Sequence, residues 1–199
     1  MAGDRIKSSY EIAMEKANKI SQETSEEEEK KLDIRNELKP ILAEYYRDEL
    51  DPEGLWQELE DYEDDHLVEA QKMIVGSLGL RTSDEEYRKR KKALLAIESL
   101  KSSKNTSGIE RTLGKIRKLQ ERYKNEREKL ENQLKRETEQ RSEMQMKPVQ
   151  TEDGRTVMKL ESGIDQETKQ KYNQAISNLE NRSDKQFSQL INELRNKIS

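Results

Sequence analysis

Ile109, Ile116, Tyr123 and Leu130 stand seven residues apart, and Glu137 and Met144 continue the spacing. A seven-residue repeat keeps one line of side chains on one side of a helix. The stretch from about 108 to 144 is therefore expected to be one long helix with a narrow apolar strip. Leu113, Leu119 and Leu134 flank that line, while Thr112, Glu126 and Gln133 occupy its second seam position. The pattern is coiled-coil-like rather than a full zipper. Of 199 residues only 30% are hydrophobic and 40% are charged. Ordinary domains are about 45–50% apolar, so neither a large single core nor a deep apolar substrate pocket is expected.

Other apolar stripes repeat at steps of three and four. Ile6, Tyr10, Ala13, Ala17 and Ile20 mark a first helix, with Met14 beside them and a break expected at Ser21–Thr24. Ser25 and Glu28 have the spacing of a capping box that opens a second helix. That helix carries Ile34, Leu38, Ile41, Leu42 and Tyr45, and Pro40 predicts a kink or a break within it. Asp51-Pro52 opens a third helix as N-cap and first-turn proline, with Leu55, Leu59, Tyr62, His66, Ala70 and Met73 along one side. Gly76-Ser77-Leu78-Gly79 is expected to end it through a left-handed glycine. Ser83 and Glu86 form another capping box, before a helix with Tyr87, Leu94, Ile97 and Leu100.

After the long helix the period changes. Pro148–Thr151 and Thr156–Leu160 flank Glu152-Asp153-Gly154-Arg155, and Asp-Gly between β-branched residues is a hairpin signal. Asp165 is expected to cap a last helix with Tyr172, Ile176, Leu179, Ser183, Phe187, Leu190, Leu194 and Ile198 on one stripe. Ile176, Phe187 and Ile198 are eleven apart, which favours a straight or slightly right-handed arrangement. Two long helices with a short connection pack antiparallel. The fold class expected is all-α. Residues 1–103 form a helical region of about four helices, acidic in its first half. Residues 104–199 form an antiparallel helical hairpin with a β-hairpin near 147–160 at its tip. In outline, residues 108–199 resemble subunits of the prefoldin chaperone, which implies a chaperone-like role. The opening Arg5-Ile6-Lys7-Ser8-Ser9-Tyr10-Glu11-Ile12-Ala13-Met14-Glu15-Lys16-Ala17 resembles a group of small helical uncharacterised bacterial proteins. That likeness implies a bacterial cytosolic origin and no particular activity.

Charge is unevenly placed. Glu23–Glu69 holds 19 acids against 5 bases, whereas Arg81–Lys147 holds 20 bases against 12 acids. Two helical regions of opposite sign complement one another within a chain or across a dimer, setting partner choice and register. The second reading is nucleic-acid binding through the basic half, by Arg88-Lys89-Arg90-Lys91-Lys92 and Arg111–Lys124. Five consecutive bases cover more than a helical turn and point all round it. The whole chain nevertheless carries net charge -4, and no aromatic RNA-binding motif accompanies the run.

Catalytic chemistry finds little material. There is no Cys and one His, which excludes thiolate nucleophiles and Cys zinc sites. Glu63 and His66 have the i, i+3 spacing of half a di-iron carboxylate site, but the full site needs a second histidine. Asp61, Glu63, Asp64 and Asp65 lack the glycine turn of a calcium loop. No phosphate-binding glycine loop and no nucleophile elbow occurs. Neither cofactor nor metal is expected, and the chain is read as no enzyme. Trp56 is read as a core anchor of the N-terminal region, or else as a hot spot at a partner interface. No apolar run is long enough to span a membrane. The opening Met1–Arg5 lacks the apolar stretch of a secretory signal, so a cytoplasmic location is expected. Narrow stripes on long helices do not bury themselves alone, and a homo-oligomer, most simply a dimer, follows as the expected state. The expected function is a non-enzymatic interaction, scaffold or chaperone-like role with an unknown protein partner. Ile109, Ile116, Tyr123 and Leu130 are expected to pair with Ile176, Leu179, Phe187 and Leu190.

Overall fold

The structure is a computed structural model; it describes the backbone of residues 9–144, 146–150, 155–160 and 166–199, and the side chains of 26–139, 155 and 166–199. Six helices run α1 (Ser9–Tyr46), α2 (Pro52–Leu59), α3 (Asp64–Gly76), α4 (Asp84–Leu100), α5 (Thr106–Met144) and α6 (Gln166–Ile198). Between α5 and α6, β1 (Met146–Gln150) pairs antiparallel with β2 (Thr156–Leu160), with Pro148 opposite Met158. A two-stranded ribbon leaves both outer edges free, which accommodates a proline. The Asp153-Gly154 turn and the Asp165 cap lie outside the described residues.

Three expectations are corrected here. First, α1 is a single helix through both Ser21–Thr24 and Pro40. Ser, Gln, Glu and Thr each cost well under about 1 kcal/mol in a helix, so the Ser25/Glu28 box has no helix start to cap. Pro40 costs about 3 kcal/mol. Around it Leu38, Leu42 and Tyr45 are buried, and each such side chain returns about 1.5–3 kcal/mol. Second, the single helix expected from Asp51 to the Gly76–Gly79 turn is two, separated by Glu60–Glu63. Glu63 is extended (φ -69°, ψ 157°) and starts α3 with Asp64 and Asp65 in its first turn, where the helix dipole favours carboxylates. Third, Ser77, not a left-handed glycine, caps α3; it is right-handed and its hydroxyl donates to Ile74 O at 2.7 Å. The left-handed residue is Asp48 (φ 63°), just past α1. Glu49 N donates to Glu44 O at 3.0 Å and Asp48 N to Tyr45 O at 3.2 Å, the two bonds of a Schellman end. Local signals elsewhere hold: Asp51 accepts from Gly54 N at 2.7 Å at the start of α2. Ser83 and Glu86 bond reciprocally, each backbone N–H donating to the other's side chain at 3.3 Å.

The contacts group into two units. The first holds residues 1–77, 89–106 and 198. Here α1 packs on α2 and α3, and Ile34, Leu38, Leu42, Leu55, Leu59, Leu67, Ile74, Leu94 and Ile97 are buried. Polar groups are buried with them. Glu98 is 0% and Lys101 6% exposed. Glu98 accepts from Lys101 Nζ at 3.2 Å, from Gln71 Nε2 at 3.0 Å and from Asn105 N. Lys101 also donates to Ile198 O at 2.6 Å. Trp56 is 36% exposed and donates to Ser99 Oγ at 3.1 Å, so it lies at the surface and Leu55 beside it is the core residue.

The second unit holds residues 78–88, 107–197 and 199. Its apolar interior is Leu78, Tyr87, Ile109, Leu113, Ile116, Leu119, Tyr123, Leu179, Ile191 and Leu194. The Tyr87 hydroxyl donates to Leu113 O at 2.7 Å, and Gln120 Nε2 donates to Gly79 O at 2.8 Å.

Candidate interaction site

Three contacts between α5 and α6 share one register, while Thr112 to Glu193 at 3.2 Å and Tyr123 to Glu180 at 3.4 Å lie three and five residues off it. Lys115 donates to Glu193 at 2.8 Å, Arg122 donates to Gln186, and Arg182 pairs with Glu126. Across these three, each step up α5 is matched by an equal step down α6. Heptad spacing brings these positions to one side of α5: 115, 122 and 129 share a line, with 118 and 126 beside it. On that side lie two open grooves of about 450 Å³ each. The first is floored by Leu119 and Leu190 and rimmed by Lys115, Lys118 and Arg122. The second is floored by Leu130, Leu179 and Ala175 and rimmed by Lys129 and Arg182. Together the grooves carry five cations against the carboxylates of Glu126 and Glu193. Glu193 is held below the usual carboxylate range, chiefly by the Lys115 hydrogen bond and further by the Thr112 hydroxyl.

Of the pairing residues expected from sequence, Ile109, Ile116, Tyr123 and Leu179 are buried. Leu130, Ile176, Phe187 and Leu190 are half-buried. Leu113, Ile191 and Leu194 are buried alongside them. Ile191 falls outside the sequence stripe, because α6 presents a face wider than one line. Packing on α5 weakens along the helix: from Glu126 to Glu139 no described side chain is fully buried.

The basic run is divided in use. Lys89 donates to Tyr46 O at 3.1 Å and to Asp48, and its ammonium lies 5.4 Å over the Tyr45 ring. Arg90 Nε donates to Ser77 Oγ at 2.8 Å and its guanidinium lies 5.7 Å over Tyr46. Lys91 is half-buried and engaged, while Arg88 and Lys92 are exposed. The middle of the run thus packs against the end of α1 through the stems and rings that long basic side chains can cover. On α5, Arg117 pairs with Asp84 at 2.6 Å and with Glu121 at 3.0 Å. The Arg117 hydrogen bond holds Asp84 below the usual range. Arg111, Lys118 and Lys124 are exposed.

His66 Nε2 lies 3.6 Å from Glu37 and its ring 5.2 Å from Tyr62. No three His, Asp or Glu converge on a metal position among the described residues. Within the same residues no helix is long and apolar enough to cross a membrane. The chain belongs to a family of unknown function (DUF6657), which matches residues 56–199. No curated protein and no solved structure matches the chain, so the prefoldin likeness finds no support there.

Proposed function

We propose that the protein is a non-enzymatic interaction scaffold whose working part is the α5–α6 pair, an antiparallel coiled-coil-like hairpin that holds a partner helix along its open side. The observation that carries this reading is the register shared by three cross-helix contacts beneath a leucine-floored groove. Two antiparallel helices with an apolar seam left open on one side match the surface on which an amphipathic helix docks. Nucleic-acid binding through 88–92 and 111–124 is the lesser reading, since Lys89, Arg90, Lys115, Arg117 and Arg122 are all engaged within the chain.

The absence of native cysteine makes the test clean. A chain with Arg122→Cys and Gln186→Cys should cross-link within itself at low concentration. Arg122→Cys with Leu179→Cys, one heptad out of register, should not. Equal cross-linking of both pairs, or of neither, would remove the hairpin reading. Co-purifying nucleic acid that survives replacement of Arg88–Lys92 by Gln, and is lost on replacement of Arg111, Lys118 and Lys124, would put α5 to a different use.

A further inference from the structure

The first groove has an excess of positive charge. Lys115, Lys118 and Arg122 line it against Glu193 alone, with Leu119 and Leu190 beneath. Lys118 has no ion-pair partner among the described residues, Lys115 is matched to Glu193, and Arg122 donates to Gln186 and lies 4.0 Å from Glu126. A second copy of the same groove would be repelled, because both faces carry the same sign. An acidic helix of about two turns would fit. From Lys115 to Arg122 is seven steps, about 10.5 Å of helix.

The chain itself carries such a helix. All residues of α1 from Glu26 to Asp33 are exposed, again seven steps. Within that stretch Leu32 is 54% exposed, the most exposed large apolar side chain described. Helical spacing places Glu28 and Glu29 one turn before Leu32 on its face. Lys30 is occupied by Asp65 at 3.3 Å and Lys31 by Glu27 at 3.7 Å. Glu26, Glu28, Glu29 and Asp33 have no ion-pair partner among the described residues. An isolated carboxylate cluster on a helix is ordinarily solvated surface. Here it flanks an exposed leucine, and its length, sign and apolar centre complement a groove on the same chain type.

We propose that the acidic segment 26–33 of α1 docks into the Lys115–Arg122 groove of a second copy, with Leu32 on Leu119 and Leu190 and with Glu28 and Glu29 facing Lys118 and Arg122. The inference rests on the interaction reading of the α5–α6 pair and names its partner. Two arms and two grooves exchanged about a two-fold axis close the assembly as a dimer.

Light scattering after size exclusion tests it on the full chain. The wild type should run at twice 23.4 kDa, and its dimer fraction should fall with salt, since screening shortens from about 10 Å at 0.1 M to about 3 Å at 1 M. Lys118→Glu with Arg122→Glu should give monomer, as should Glu28→Lys with Glu29→Lys. An equimolar mixture of the two variants should return to the dimer mass, because both exchanged contacts then become attractive again. Unchanged circular dichroism establishes that each variant is folded. Should one lose helicity, Lys118→Gln and Glu29→Gln replace the reversals, and each should weaken the dimer. A monomeric wild type, dimers untouched by both reversals, or a mixture that stays monomeric would overturn the proposal. The intramolecular 122–186 cross-link does not depend on dimerisation. A monomer that cross-links therefore sinks this inference alone, and a chain that fails to cross-link sinks the reading beneath it.

Discussion

Lys101→Met should be among the most damaging single changes in the first unit. Met nearly matches the lysine stem, so no cavity opens and the change is electrostatic. Glu98 is fully buried, with Lys101 Nζ at 3.2 Å as its one cationic partner among the described residues. Removing one member of a buried pair leaves a bare buried charge and costs about 3–5 kcal/mol. Gln71 and Asn105 still donate to the carboxylate, which places the expected loss near the lower end, about 3 kcal/mol. Ile198 O loses its donor as well. Adding Glu98→Gln removes the stranded charge while keeping a carbonyl acceptor for one of the two remaining donors. The double variant should therefore be more stable than Lys101→Met alone, despite carrying one more substitution. Urea unfolding followed by helical circular dichroism measures both steps as midpoint shifts at unchanged slope. A loss under about 1 kcal/mol for Lys101→Met, or a double variant no more stable than the single, would show that Lys101 does not neutralise Glu98.

Two further outcomes follow from the second unit. Leu113→Ala, at a fully buried position, should cost about 2–5 kcal/mol by lost burial and residual cavity, read from the same unfolding curves. Burial pushes the Tyr87 hydroxyl up to about 12, whereas a free tyrosine ionises near 10. The folded state thus holds its proton longer than the unfolded state, and the associated stability is complete below about pH 10 and lost as pH rises through about 12. Tyr87→Phe should flatten that alkaline loss in a pH series of unfolding midpoints; an unchanged slope would show that Tyr87 ionises freely.

What the sequence made legible was local. The Asp51 cap and the Ser83/Glu86 box are hydrogen bonds within a few residues, and the seven-residue line of Ile109, Ile116 and Tyr123 fixes a buried face by spacing alone. What it hid depended on distant partners. The passage of α1 through Pro40 is decided by burial of Leu38, Leu42 and Tyr45 against other helices, which no local penalty reveals. The apolar positions before and after Glu60–Glu63 keep nearly the same helical phase, so the break left no mark in periodicity. Lys89 and Arg90 belong to a run that reads as solvated surface, yet the rings and carbonyls of α1 accept them from far along the chain. Glu98 and Lys101 look like any exposed i, i+3 pair until the surrounding residues close over them. The groove was half visible: Leu130, Leu179 and Leu190 stood on the stripes, but its charge bias emerged only when Lys118, Lys129 and Arg182 were placed on one side.

The most direct measurement is a pair of spin-label distances on the intact chain. Labels go on exposed groove positions, Lys118→Cys with Gln189→Cys, and Lys129→Cys with Asn178→Cys. Both pairs lie on the same antiparallel register, with helix axes expected about 8–10 Å apart. The two separations should be short, narrow and nearly equal. A one-heptad slip would displace both pairs by about 10.5 Å along the axis, and a long or broad distance at both would contradict the paired-helix surface on which the proposed function stands.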